Sequence, residues 1–134
     1  MADLLAVPAQ WVTLRTQTEE GQPVVVLVDQ AVATTAPYDE HPVQVAVGVP
    51  FSADDQGLPV VEELQRLKQV EQHLVDVAAG KARLVVVMTL EGVREWTFYG
   101  RDGSWAEPLR TAGLSVLETD DPSYQGLREL SGLV

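Results

Sequence analysis

From Leu84 to Tyr99 two runs of strand-forming residues meet at a Glu91-Gly92 step, and neither side of the resulting ribbon is polar. Glycine supplies the positive φ that a two-residue turn needs, so the spacing predicts a hairpin in which Leu90 faces Val93 and Val87 faces Trp96. One face then carries Val85, Val87, Thr89, Arg94, Trp96 and Phe98. The other carries Leu84, Val86, Met88, Leu90, Val93, Glu95, Thr97 and Tyr99. A one-residue slip would exchange the faces of one strand. A ribbon apolar on both sides cannot be a surface element. It requires a layer above and a layer below, supplied by an N-terminal hairpin, a tail helix or a second copy of the chain.

The flanking sequence offers those layers. Residues 11–17 alternate, residues 19–23 read as a turn, and Val24–Val28 is an apolar run of strand length, which together predict an N-terminal hairpin over 11–29. Residues 30–42 have loop chemistry. Val43, Val45, Val47 and Val49 alternate with small or polar residues and predict a third strand. After Pro59, apolar residues recur with helical spacing to Ala79, and Gly80 is a natural stop. Ser104 to Glu107 has capping-box spacing and predicts a short helix to about Thr111, followed by a strand over 114–118. Asp121-Pro122 reads as an N-cap with proline at the first helical position, and Tyr124, Leu127 and Leu130 as the apolar side of a tail helix. Strand 24–28 and the last strand compete for the same edge of strand 43–49.

The chain has 134 residues, 46% of them hydrophobic and 22% charged, a balance that suits a folded domain and not a disordered segment. It has no cysteine, which removes disulfides, thiolate metal sites and thiol nucleophiles. Its net charge is −11, and no cluster of Lys and Arg interrupts that charge, so nucleic acid and anionic membrane are not expected partners. The N-terminal segment has no basic start and only a short apolar stretch, and no apolar run approaches membrane-spanning length. A cytoplasmic location is expected.

Chemistry-bearing motifs are few. His41, in Asp39-Glu40-His41-Pro42, reads as part of a solvated turn, because adjacent residues rarely converge on one metal ion. His73 could meet Asp76 on a polar helix face but has no third ligand. No serine lies in a nucleophile elbow. Gly100 to Gly103 is not a phosphate loop, and Asp54-Asp55 is not a calcium loop. Glu71 is the residue out of place. It falls inside the apolar arc that runs from Val61 through Leu64, Leu67 and Leu74 to Val77. Either the carboxylate snorkels to water, or it is half-buried with a partner. With a two-residue Glu91-Gly92 turn, Arg94 sits on the sheet face toward the helix, and an ion pair between Glu71 and Arg94 is expected.

Gly57-Leu58-Pro59, Glu62-Glu63, Leu67, Glu71 and Leu74, with Thr89, Gly92, Arg94-Glu95 and Phe98-Tyr99, resemble the motifs of the bacterial domain of unknown function 695 family. Trp11, Gly21 with Pro23, and His41-Pro42 fit the same family's N-terminal pattern. Gln72 departs from it, and the tail lacks a tryptophan. More distantly the chain resembles RraB-type regulators of ribonuclease E activity, which are small acidic proteins that bind an enzyme. That resemblance implies a binding role, although a shared fold does not transmit function.

The expectation is therefore a single α+β domain over 1–134: a ferredoxin-like βαββαβ sandwich at 43–119, an added N-terminal β-hairpin at 11–29, and a short C-terminal helix. The expected role is a non-catalytic protein-binding or regulatory module. The alternatives are a small-ligand binder using Glu71 and Arg94, and an enzyme whose site assembles only in space. No metal and no cofactor are expected. The expected partners are another protein and a second copy of the chain in a two-fold dimer, the latter because an open sheet of this kind has a free back face.

Overall fold

The computed structural model describes residues 3–131, so the expected domain limits at 1 and 134 lie outside the described residues. Six strands form one antiparallel sheet: β1 (Trp11–Gln17), β2 (Pro23–Asp29), β3 (Val43–Pro50), β4 (Ala82–Leu90), β5 (Val93–Gly100) and β6 (Ser115–Asp120), in the order β1-β2-β4-β5-β3-β6. Four α-helices accompany them: α1 (Gln30–Thr35), α2 (Val61–Ala78), α3 (Glu107–Thr111) and α4 (Gln125–Ser131). The chain is thus mixed α+β. Because β1 and β2 join the same sheet, its six strands are more than a simple βαββαβ unit. The edge competition resolves cleanly: β6 takes the free edge of β3, and β2 pairs with β4.

Both faces of the sheet are covered, as the doubly apolar hairpin demands. On the front, Leu67, Leu74 and Ala78 of α2 pack on Val45, Val47, Val87, Trp96 and Phe98, and Trp105 and Leu109 close the β6 side. On the back, Leu4 in a 3₁₀ turn, Val32 of α1, Tyr38 and the tail residues Tyr124 and Leu127 pack on Val26, Val28, Val85, Val86 and Tyr99. The free back face that led to the expectation of a dimer is thus largely occupied by the chain's own N-terminal turn, α1 and α4. Tyr99 and Tyr124 stack at 4.0 Å, with Tyr38 at 6.1 Å from Tyr124. The Tyr124 hydroxyl donates to the His41 carbonyl at 2.7 Å, and the Tyr99 hydroxyl donates to Asp121 Oδ2 at 2.7 Å. Burial, reinforced at Tyr99 by Asp121, raises both phenols well above their ordinary range.

The β4–β5 register is the expected one from Leu90↔Val93 to Val86↔Thr97, after which a bulge at Val85 shifts it. The bulge inserts one residue, so Leu84 turns to the front core and Val85 to the back, the reverse of strict alternation. Helix α1 lies where a loop was expected. It is only six residues long and has no side-chain cap, because Asp29 is occupied elsewhere, so local sequence hardly announces it. Near α3, Ser104–Ala106 is a 3₁₀ turn and no capping box forms. Asp102 Oδ1 instead accepts from the Ser104 N–H and Oγ–H. Helix α4 starts three residues later than Asp121-Pro122 suggests, because Tyr124 takes a positive φ of 57°. Asp121 still serves this helix, accepting from the Gln125 and Gly126 N–H groups.

Two connections at one end of the sheet interlock. Gly57, at φ +80°, accepts through its carbonyl from the Gly92 N–H at 2.9 Å. A Cβ on Gly57 would lie 2.8 Å from Glu91 Cα. Nearby, Glu63 accepts from the Ser52 N–H and from Arg66, which also donates to the Pro50 carbonyl. These contacts tie loop 51–60 to the start of α2.

Candidate functional site

Helix α2 covers the middle of the sheet and leaves the front of β1 and β2 open. Along its near flank run Val61, Leu64, Lys68, Glu71 and Val75, at the three- and four-residue spacings that align side chains on one side of a helix. Opposite them stand Trp11, Leu27, Leu84 and Val87. Between helix and sheet lie two adjoining hollows of about 400 and 370 Å³ that share Trp11, Val75 and Leu84, and so form one groove. The sequence pattern puts Val61 and Leu64 in the helix's core arc. They are instead 79% and 48% exposed, and they continue the flank of Glu71 and Val75 toward the start of α2 without lining either hollow. Trp11 and Val75, 43% and 39% exposed, line both hollows.

Glu71 is half-buried at the inner edge of this groove, and it has a partner. Its Oε1 accepts a 2.9 Å hydrogen bond from the Trp96 indole N–H. The partner is therefore the tryptophan and not Arg94. Arg94 donates through Nε to Thr89 Oγ1 at 2.9 Å, its cross-strand neighbour in the hairpin. Arg94 and Glu71 form no ion pair within 4.0 Å. They still lie in one neighbourhood: burial lowers the Arg94 pKa, and the field of Glu71 opposes that shift. Glu71 lines the groove, whereas Arg94 lines neither hollow. The register explains the outcome. With Thr89 directly opposite Arg94, the shortest satisfied arrangement for the guanidinium stays on the sheet.

At the other end of the groove, Asp29 is fully buried and pairs with Arg83 at 2.7 Å. Arg83 also donates to the carbonyls of Leu4 and Val7, and Asp29 Oδ1 accepts from the Gln10 N–H. This cluster holds the N-terminal segment against the sheet. The sequence offers only a faint signal of it, an aspartate closing the apolar run 24–28 and an arginine opening β4.

The histidines part company. His41 is buried, 7% exposed, instead of lying in a solvated turn, because the Tyr124–His41 bond draws its loop onto the back layer. His73 is exposed, and Asp76 takes its hydrogen bond from Gln72. Asp54 caps the turn ahead of Pro59, accepting from the Gln56 and Leu58 N–H groups. Among the described residues no group of three His, Asp or Glu side chains gathers as a metal site, and no helix is long and apolar enough to cross a membrane.

No curated protein and no solved structure matches this chain. The sequence model of the Family of unknown function (DUF695) matches residues 9–125. That span takes in the Gly57–Gly92 interlock, Glu71, Trp96 and both walls of the groove, and the chain belongs to the DUF695 family.

Proposed function

We propose that this chain is a non-catalytic protein-binding module, and that its groove beside α2 receives an apolar segment of a basic partner protein. The observation that carries this reading is the grouping of exposed apolar side chains. Of the six large ones among the described residues, Trp11 and Val75 face each other across the groove, and Val61 and Leu64 extend the same flank of α2 beyond it. Exposed apolar residues scattered singly need no explanation, but a contiguous strip bounded by charge is what interaction sites look like. Glu71 supplies the polar anchor. Only its Oε1 is engaged, so Oε2 is available to a Lys or Arg beside the apolar anchor of the partner. A net charge of −11 favours the approach of a basic protein. The distant likeness to RraB-type regulators of ribonuclease E activity suits the same role, as do a bacterial source and a cytoplasmic location.

The proposal extends to the fold. The order β6-β3-β5-β4, with α2 and α3 on one face, supports a ferredoxin-like unit enlarged by β1 and β2. Such an enlargement would account for the groove, since α2 and α3 do not reach over the added strands. A second copy of the chain is the rival occupant. A small ligand held by Glu71 and Arg94 is less well served, because Arg94 lines neither hollow of the groove.

Affinity capture compared between the wild type, Leu64→Arg with Val75→Arg, and Leu117→Arg on the back of β6 tests the reading. The expected result is a partner lost with the groove variant and kept with the Leu117 variant. Loss of capture from both, or from neither, would count against the groove. Light scattering that finds a dimer dissociated by the groove variant would transfer the site to self-association.

A further inference from the structure

At the end of the sheet opposite the Gly57–Gly92 interlock, four connections surround a cavity of about 400 Å³. Its walls are Asp3 and Leu5 from the N-terminal turn, Glu40 and His41 ahead of β3, Gly80 and Lys81 ahead of β4, and Arg101, Asp102, Ser104 and Trp105 after β5. Three features set it apart from the groove.

The first is unspent positive charge. Of the nine Lys and Arg side chains, Arg66, Arg83, Arg94, Arg110 and Arg128 are engaged in hydrogen bonds. Arg15, Lys68, Lys81 and Arg101 are not hydrogen-bonded among the described residues, and two of these four stand at this one cavity. The second is an unpaired buried donor. Trp105 is 4% exposed, and its Nε1–H has no acceptor, one of two such buried side-chain atoms among the described residues. Buried polar groups are nearly always paired, so an unpaired donor on a side chain that lines a cavity leaves a place for a partner from outside. The third is the mixture of signs. Asp3, Glu40 and Asp102 share the lining with Lys81 and Arg101, so its carboxylates outnumber its cations by one. A doubly charged anion is opposed by that balance, whereas a molecule carrying both signs is not. Asp102 is already stabilised as the anion, chiefly by Ser104 and further by Arg101 and Lys81.

We propose that this cavity binds an amino-acid-sized zwitterion, its carboxylate held by Lys81, Arg101 and the Trp105 indole N–H and its ammonium group by Asp3 or Glu40. A buried donor with two nearby cations suits a planar carboxylate, and the two acidic side chains come from other segments of the wall. The cavity meets the groove at Leu5 and Gly80, but none of its charged groups lines the groove, and the proposal stands or falls without the groove reading.

Calorimetric titration with the free proteinogenic amino acids, and with acetate, methylammonium and inorganic phosphate as single-sign probes, tests the assignment. At least one amino acid is expected to bind with Kd below about 1 mM, and the single-sign probes at least about tenfold more weakly. Lys81→Ala and Arg101→Ala alter exposed side chains and should each weaken binding about tenfold without moving the melting temperature. Trp105→Phe removes the N–H and should weaken binding likewise, with a lower melting temperature because Trp105 is part of the front core; if that variant fails to fold, the two surface variants carry the test. Three results each overturn the proposal: no binding of any amino acid up to about 10 mM, phosphate or acetate binding as tightly as the amino acids, or unchanged binding in both surface variants.

Discussion

Glu71 shows how far a single residue can be read from sequence. Helical spacing marks it as a charge inside an apolar arc, and physical chemistry requires a partner for it. The choice between Trp96 and Arg94 depends on side-chain reach across the interface, which spacing does not encode. Both lie on the front of β5, and the indole N–H reaches the carboxylate while the guanidinium stays with Thr89. Gly57 carries a sharper consequence. Any side chain there meets a left-handed backbone and the Glu91 main chain at 2.8 Å, which cannot move aside as a flexible side chain could. Gly57→Ala should therefore cost about 1–3 kcal/mol of stability. Chemical denaturation checks this, and a variant as stable as the wild type would mean that the loop re-forms elsewhere. Glu63 is the residue most responsible for pH sensitivity at the start of α2. Hydrogen bonds from Arg66, then from the Ser52 N–H, lower its pKa from 4.5 to about 2. Its folded pKa lies below its unfolded one, so its contribution is complete above about pH 4.5 and is lost as pH falls toward 2. The stability gap between the wild type and Glu63→Gln should therefore shrink over that window, and added salt should narrow it at neutral pH. A gap constant with pH would show that the carboxylate is unperturbed.

Among the elements, those that announce themselves by period are the ones the sequence discloses. The alternation of β3, the turn at Glu91-Gly92 and the run of α2 all follow from spacing that local chemistry enforces. What escapes is what depends on partners. Helix α1 is too short to show a period, and it exists because Val32 has a place in the back layer. The bulge at Val85 is invisible in a run of three valines, since any of them fits either face. It exchanges Leu84 and Val85 and so gives the front core the larger side chain under α2. The groove was illegible for a similar reason. Trp11 and Val75 are apolar whether they meet in a core or across a groove, and only the width of the sheet relative to the helix decides.

At the scale of the whole molecule, the first strand is attached by more than its ladder. Deleting residues 1–22 removes β1, and with it the Leu4 and Val7 carbonyls and the Gln10 N–H that complete the Arg83–Asp29 cluster. It also empties the back-layer site of Leu4. The ion pair itself stays, as do α2, α3, α4 and five strands. The shortened chain is expected to fold with a lower midpoint and a noncooperative foot in its thermal transition. Circular dichroism checks this, and a wholly unfolded product would make the N-terminal segment part of the folding core.

The interlock of Gly57 with Gly92 also gives the molecule a direction. At that end a loop is bolted across the hairpin tip, Gln22 from the β1–β2 turn lies beside the same glycine, and the connections brace one another. At the other end four connections stop short of each other and leave space between them. Change in sequence is therefore constrained unequally along the strands. The bolted end resists insertion, since a longer loop there must undo its neighbour. The open end can vary in length and side chain while the sheet behind it stays the same, so related chains have room there to differ in what they recognise.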